Sequence, residues 1–312
     1  MGNIARHHHY LPQCYLRGFL TSGQKRKITV IDKKDKKFFE TNIRNIGGVR
    51  DFNRIKLDGI LPDSLENNLS SFEGQVATAL REIEKEHSIE NETIYTTIIN
   101  LIALIAIRNP HMRCNWNDSQ DKLLKKILAL SLDTKERWES ILQRRNKNGV
   151  EINEDVSYDK MKEFVERGEY KIVETTESHI VREFSGINVI LPLLFSRGWT
   201  LAIASEESGN YITCDNPVCL YWKKPDSIPP LYRNNPGFGM PETIVIFPVS
   251  KKMSIIGEFG SKNQKIIKNK KFVSAMNSMI LYHGVSQVYA PDLSFFFIDI
   301  HNRIREGKDI FT

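Results

Sequence analysis

The chain has 312 residues, 40% hydrophobic and 26% charged, with a formal net charge of +6. That length can bury a substantial core, as one large domain or two modest ones, and the balanced composition without low-complexity tracts excludes a fibrous or disordered protein. The positive balance permits an anionic partner without requiring one.

In chain order, the first distinctive stretch is "RHHHYLPQCYLRGF" (6–19). Its three consecutive histidines are too few for a purification tag and run on into patterned sequence. In an extended strip His7 and His9 face one way while His8 and Tyr10 face the other, so one or two imidazoles are expected inside and the others outside. Two short strands follow, "KITVID" (27–32) and "KKFFET" (36–41), joined by the polar turn "KKDK" into a hairpin. "IRNIGGVRDFNRI" (43–55) breaks at Gly-Gly and returns to apolar–polar alternation.

From Pro62, Asp63 and Ser64 the period changes. Leu65, Leu69, Phe72, Val76, Leu80 and Ile83 recur at three- and four-residue steps, which predicts an amphipathic helix. The next helix, 91–108, is apolar almost all round and belongs inside a core; Pro110 ends it. Further helical patterns cover 118–147, 156–168 and 176–196, with a polar loop at 146–157. Strands return at 199–205, 211–215, 243–250 and 253–259. The segment 223–239, rich in Pro, Gly and Asn, reads as a mobile lid or a binding loop. A helix at 269–283, a strand "SQVYAP" and a mixed segment close the chain. The order β, helical block, β predicts an α+β fold with a mainly antiparallel sheet built from the N- and C-terminal segments and packed on a central helical block. We expect a single domain over 1–312, with a β part at 1–60, helices at 61–197 and a β-rich part at 198–312.

Cys14, Cys114, Cys214 and Cys219 match neither a secreted disulfide framework nor a zinc ribbon. Arg6 and the histidines stand where the apolar core of a signal peptide would lie. The run "IINLIALIAI" (98–107) is too short to span a bilayer and contains Asn100. A reduced, cytoplasmic protein with no membrane partner is the expectation.

Four polar sites abut apolar runs. In the opening strip, His7, His8, His9, Tyr10, Tyr15 and Arg17 suit hydrogen-bonded core, anion binding, catalysis or metal ligation. In "VRDF", Arg50 and Asp51 interrupt an apolar alternation. In "IRNPHMR", Arg108 and Arg113 flank the proline break; an always-protonated guanidinium there must meet a carboxylate, carbonyls, solvent or a bound anion. In "ITCDNPV", Asp215 ends a strand and serves either chemistry or its own turn.

Taken in order, "HHYLPQCYLRGF", "VRDF", "IRNPHMR", "CDNPV", "IFPVS" and Asn277 resemble the uncharacterised bacterial family called domain of unknown function 4238. The match runs over about residues 7 to 290, with Cys214 where the family has serine and Val249 where it has leucine. The resemblance implies a shared fold and polar cluster and no assigned reaction. Its pattern picks out His8, His9, Tyr10, Arg17, Asp51, Arg108, Arg113, Asp215 and Asn216. Imidazole, guanidinium and carboxylate together are what phosphodiester cleavage uses. The expectation is therefore a nuclease or nucleotide hydrolase, of the kind found among toxins and anti-phage effectors, with His8, His9, Arg17, Arg108 and Asp215 catalytic. Tyr10, Arg50, Asp51, Arg113 and Asn216 would hold the substrate, and nucleic acid or nucleotide would be the partner. No cofactor is expected, a divalent metal held by His8 or His9 with Asp215 being the exception admitted. The alternative is a binding module whose cluster is structural or recognises an anion without chemistry. No P-loop, G-x-S-x-G, H-E-x-x-H or C-x-x-C motif is present.

Overall fold

The computed structural model describes residues 6–21, 27–149 and 156–312. In chain order its elements are β1 (His7–His9), α1 (Gln13–Leu16), β2 (Ile28–Asp32), β3 (Lys37–Thr41), β4 (Gly48–Arg50), α2 (Ser64–Glu86), α3 (Glu92–Ile107), α4 (Pro110–Ser131), α5 (Lys135–Lys147), α6 (Tyr158–Arg167) and α7 (Thr176–Phe195). They continue with β5 (Arg197–Ala204), β6 (Thr213–Cys214), β7 (Cys219–Trp222), α8 (Pro230–Arg233), β8 (Thr243–Ser250), β9 (Met253–Phe259), β10 (Gln264–Lys268), α9 (Lys270–His283), β11 (Gln287–Ala290), β12 (Phe296–Ile298) and β13 (Ile304–Glu306). The fold is α+β. Two compact units divide it: Met1–His111 with Thr176–Thr312, and Met112–Thr175.

In the first unit, a four-stranded sheet of order β3-β2-β11-β6 joins the N-terminal hairpin to C-terminal strands, all antiparallel. A five-stranded sheet of order β10-β5-β9-β8-β7 is antiparallel except where β10 runs parallel to β5. The register of β8 against β9 shifts between Pro248 and Ser250. A bulge there accommodates a proline that has no N–H for the ladder. The turn 215–218 carries the chain from β6 in one sheet to β7 in the other.

Helix α3 is the spine of the core. Asn91 accepts hydrogen bonds from the N–H groups of Thr93 and Ile94 and so starts the helix, and its buried residues run from Thr97 to Ala106 on more than one face. It packs between α2 and α7. At Gly186 of α7 an added Cβ would lie 3.3 Å from Ile107, which shows how close the two helices come. The opening strip plugs this core: Leu11, Tyr15, Leu16 and Phe19 are fully buried, Tyr15 stacks on Phe247 of β8 at 5.1 Å, and its hydroxyl lies 2.6 Å from Thr213 Oγ1. Asn277 staples α9 to its surroundings, accepting from Ile212 N–H and donating to the carbonyls of Asn210 and Phe296.

The second unit holds the rest of α4 with α5 and α6. Trp116 Nε1 donates to Glu174, Ile172 N–H to Asp121, and Tyr158 to the carbonyl of Leu132. Phe164 stacks on Tyr170 at 4.8 Å.

The local corrections have local causes. The helical pattern expected over 118–147 is two helices, because Thr134 breaks it and caps α5 through Arg137 N–H. Pro110 opens α4, where its missing N–H would be unpaired anyway. Only Gly48–Arg50 of the alternation at 43–55 is strand, since Asp51 turns the chain at φ +57°. The strand expected over 211–215 shrinks to two residues, and the loop 223–239 contains α8. Residues 150–155 of the expected 146–157 loop lie outside the described residues.

Candidate functional site

Strand β1 pairs with β4, His7 opposite Arg50 and His9 opposite Gly48. The alternation predicted for the histidines is present: His7 is exposed, His8 buried and His9 half-buried, with the rings of His7 and His9 edge to face at 5.1 Å. A Cβ on Gly48 would meet the His7 ring, which would have to turn aside. Burial, followed by the neighbouring charge of His7, holds His9 below the usual histidine range. Inside, His8 Nδ1 accepts the N–H of Asn53 at 2.8 Å, which puts the ring proton on Nε2.

Asn53 links this strip to the helices. Its side-chain N–H donates to Glu66 of α2 at 2.6 Å, and its Oδ1 accepts from Arg108 at 2.5 Å. Arg108, at the end of α3, also donates from Nε to Glu183 of α7 at 3.3 Å. Its guanidinium carbon lies 5.9 Å from the ring centres of both Phe52 and Phe184. Arg108 and Glu183 are 2% and 4% exposed, so this pair is internal. A buried cation needs such a set of acceptors to offset its lost hydration. Nearby Glu73 is raised by burial and by the charge of Glu66, against the pull of Arg108.

The neighbouring residue starts a second network. Asn109 donates to Asn216 at 3.2 Å, and Asn216 Nδ2 lies 3.0 Å from His283 Nε2. Burial first, then the charge of His111, pulls His283 down to about 4. The neutral ring is the folded form, so its contribution to stability is complete above about pH 6.5 and is lost as pH falls through about 4. His283→Gln is expected to flatten the stability profile over that window in urea titrations; parallel profiles for variant and wild type would remove His283 as the cause. Beside this network, Asp215 accepts from the N–H groups of Val285, Ser286 and Gln287 at 2.7–3.0 Å, the geometry of a turn-capping carboxylate. Tyr10 lies close to Asp215 and Tyr289, and burial pushes its hydroxyl well up.

In the first unit, Asp51, Arg50 and Arg17 lie apart from both networks. Asp51 sits at the surface with Arg6, whose hydrogen bonds hold its carboxyl down at about 2, and with Arg54 and Arg50 at 3.6 and 3.7 Å. Arg113 belongs to the second unit. Arg17 is exposed, and among the described residues its guanidinium has no hydrogen-bond or ion-pair partner. It lines a cavity of about 200 Å³ with Arg81, Glu84 and Ser250. Among the described residues no three of His, Cys, Asp and Glu converge to hold a metal ion. A cavity of about 660 Å³ near the C-terminus has its cations engaged: Lys33 bonds the carbonyls of Leu281 and Gly284, and Arg303 and Arg305 pair with Asp299 and Asp309.

Sequence reasoning missed Asn53, Glu66, Glu183, Asn109 and His283, which complete the networks. It also missed Arg197, whose guanidinium donates to the carbonyls of Thr243, Gly257 and Phe238 over the ring of Phe259 and is lowered by burial to about 10. Asn53 and Asn109 adjoin quoted motifs, which is a usable signal. Glu183 carries one as well, since it follows His179 at the i,i+4 step on the buried face of α7.

The molecule is thus an α+β protein whose first unit is tied by two adjoining polar networks, one buried around Arg108 and one half-buried around Asn216 and His283. The family described as "Protein of unknown function (DUF4238)" matches residues 7–293, and the chain belongs to it. No curated protein and no solved structure matches the chain. No single helix among the described residues is long and apolar enough to cross a membrane.

Proposed function

We propose that the protein recognises a small anionic ligand without covalent chemistry, and that the His8–Asn53–Arg108–Glu183 network is the frame of the fold. The observation that carries this is a contrast between motif residues. Arg108 is buried against Glu183 and Asn53, and Asp215 spends both carboxylate oxygens on backbone N–H groups. Arg17, from the same motif set, stands exposed with its five donors uncommitted among the described residues. A guanidinium placed that way suits an incoming phosphate or carboxylate. Phosphodiester cleavage by a nuclease or nucleotide hydrolase draws support from imidazole, guanidinium and carboxylate lying within one unit. It would require His8 and Arg108, now 1% and 2% exposed, to reach a substrate.

Binding of inorganic phosphate, single-stranded RNA and duplex DNA at low ionic strength tests both. The expected result is phosphate binding that weakens as salt rises, with no cleavage of either nucleic acid. Cleavage that disappears in His8→Ala at an unchanged melting temperature would overturn the proposal. Steeply salt-dependent binding of RNA or DNA would favour a nucleic-acid partner instead.

A further inference from the structure

We infer that the cavity between the opening strip, α2 and β8 is a site for a phosphate monoester with a short hydroxyl-bearing tail, such as a sugar phosphate. This rests on the anionic-ligand reading and names its site and chemistry.

Two family motifs meet there. Arg17 and Gly18 come from the opening strip, Val249 and Ser250 from the end of β8, and the backbones approach so closely that a Cβ on Gly18 would lie 3.0 Å from the carbonyl of Val249. Lys251 N–H donates to the carbonyl of Gly18 and fixes the approach. The far wall is α2, with Ala77, Leu80, Arg81 and Glu84. Arg81 is held along its own helix by bonds to the carbonyl of Ala77 and to Thr78, which orient its guanidinium while leaving donors over. Arg17 brings a second guanidinium, and Ser250 a hydroxyl that accepts from Lys252 N–H and, among the described residues, donates to no partner.

Two guanidinium groups and a hydroxyl make a phosphoryl cradle. The third charged group, Glu84, forms no ion pair with either arginine among the described residues. A bare carboxylate beside a phosphoryl oxygen would repel it, whereas a ligand hydroxyl would donate to it. That calls for a tail with donors. The apolar floor of Leu80 and Val249 and the small volume, about 200 Å³, limit the tail's length; drug-sized ligands fill about 300–1,000 Å³. Cys14, also on the wall, is no nucleophile here, because burial pushes its thiol up to about 11.

The test is calorimetric titration of the full chain with glucose 6-phosphate, glucose and inorganic phosphate. Glucose 6-phosphate is expected to bind and glucose not. Arg17→Gln and Arg81→Gln should each weaken glucose 6-phosphate by about tenfold or more, while Arg137→Gln, an exposed arginine outside the cavity, leaves it unchanged. Glu84→Gln should weaken glucose 6-phosphate and strengthen inorganic phosphate. Equal responses of the two ligands to Glu84→Gln would overturn the hydroxyl-bearing tail. Binding retained by the folded Arg17→Gln/Arg81→Gln double variant would overturn this site while leaving anion recognition standing. Failure of the wild type to bind either phosphate would overturn both.

Discussion

Arg108→Ala is expected to destabilise the first unit by about 3–5 kcal/mol, the usual result of removing one partner from a buried ion pair. The residue left behind explains the size. Glu183, 4% exposed, would lose the cation 3.3 Å away, and Asn53 Oδ1 would lose its Arg108 donor. The rings of Phe52 and Phe184 would face a void where the guanidinium lay. Replacing both charges, as in Arg108→Met with Glu183→Leu, should recover much of that loss, because an apolar pair of similar volume carries no desolvation penalty. Urea denaturation of the three proteins measures this. A wild-type midpoint in Arg108→Ala would mean that the network is not the frame of the fold.

That distinction between frame and machinery was only half visible in the sequence. Local pattern carried the parts that local physics decides. The 3.6-residue period of Leu65, Val76 and Ile83 marks α2, and the alternation of His7, His8 and His9 sets exposed, buried and half-buried positions in β1. What local pattern cannot carry is the identity of a partner far along the chain. Arg108 demands an acceptor, but nothing around it points to Glu183, 75 positions on, or to Asn53, 55 positions back. Asp215 has the same difficulty. A carboxylate at a strand end reads equally as catalyst or cap until the N–H groups of 285–287 are placed against it. Short strands were the other loss. Strand β7, four residues long, and the three-residue strands β12 and β13 are too brief for a period to emerge, and β10 is a strand because β5 offers it a parallel edge.

Ile102→Asp in α3 should be the most damaging single change, costing several kcal/mol and unfolding the first unit at ordinary temperature. Ile102 is 0% exposed in the cluster that also holds Ile98, Leu101, Ile105 and Leu194. A carboxylate there would lie among aliphatic side chains of the core, while Arg108 serves Glu183 and Asn53. It must either stay ionised in an apolar surrounding or take up a proton at a raised pKa, and both cost folding free energy. The lost isobutyl-sized packing adds the penalty of removing a buried aliphatic side chain, about 2–5 kcal/mol when truncated to alanine. Against a typical domain stability of about 5–15 kcal/mol, the sum leaves little folded protein. Ile102→Val, which removes one methylene, should cost only about 0.5–1.5 kcal/mol and retain ligand binding. Circular dichroism melts of the two variants separate a core position from a peripheral one: equal melting temperatures would place α3 outside the cooperative core.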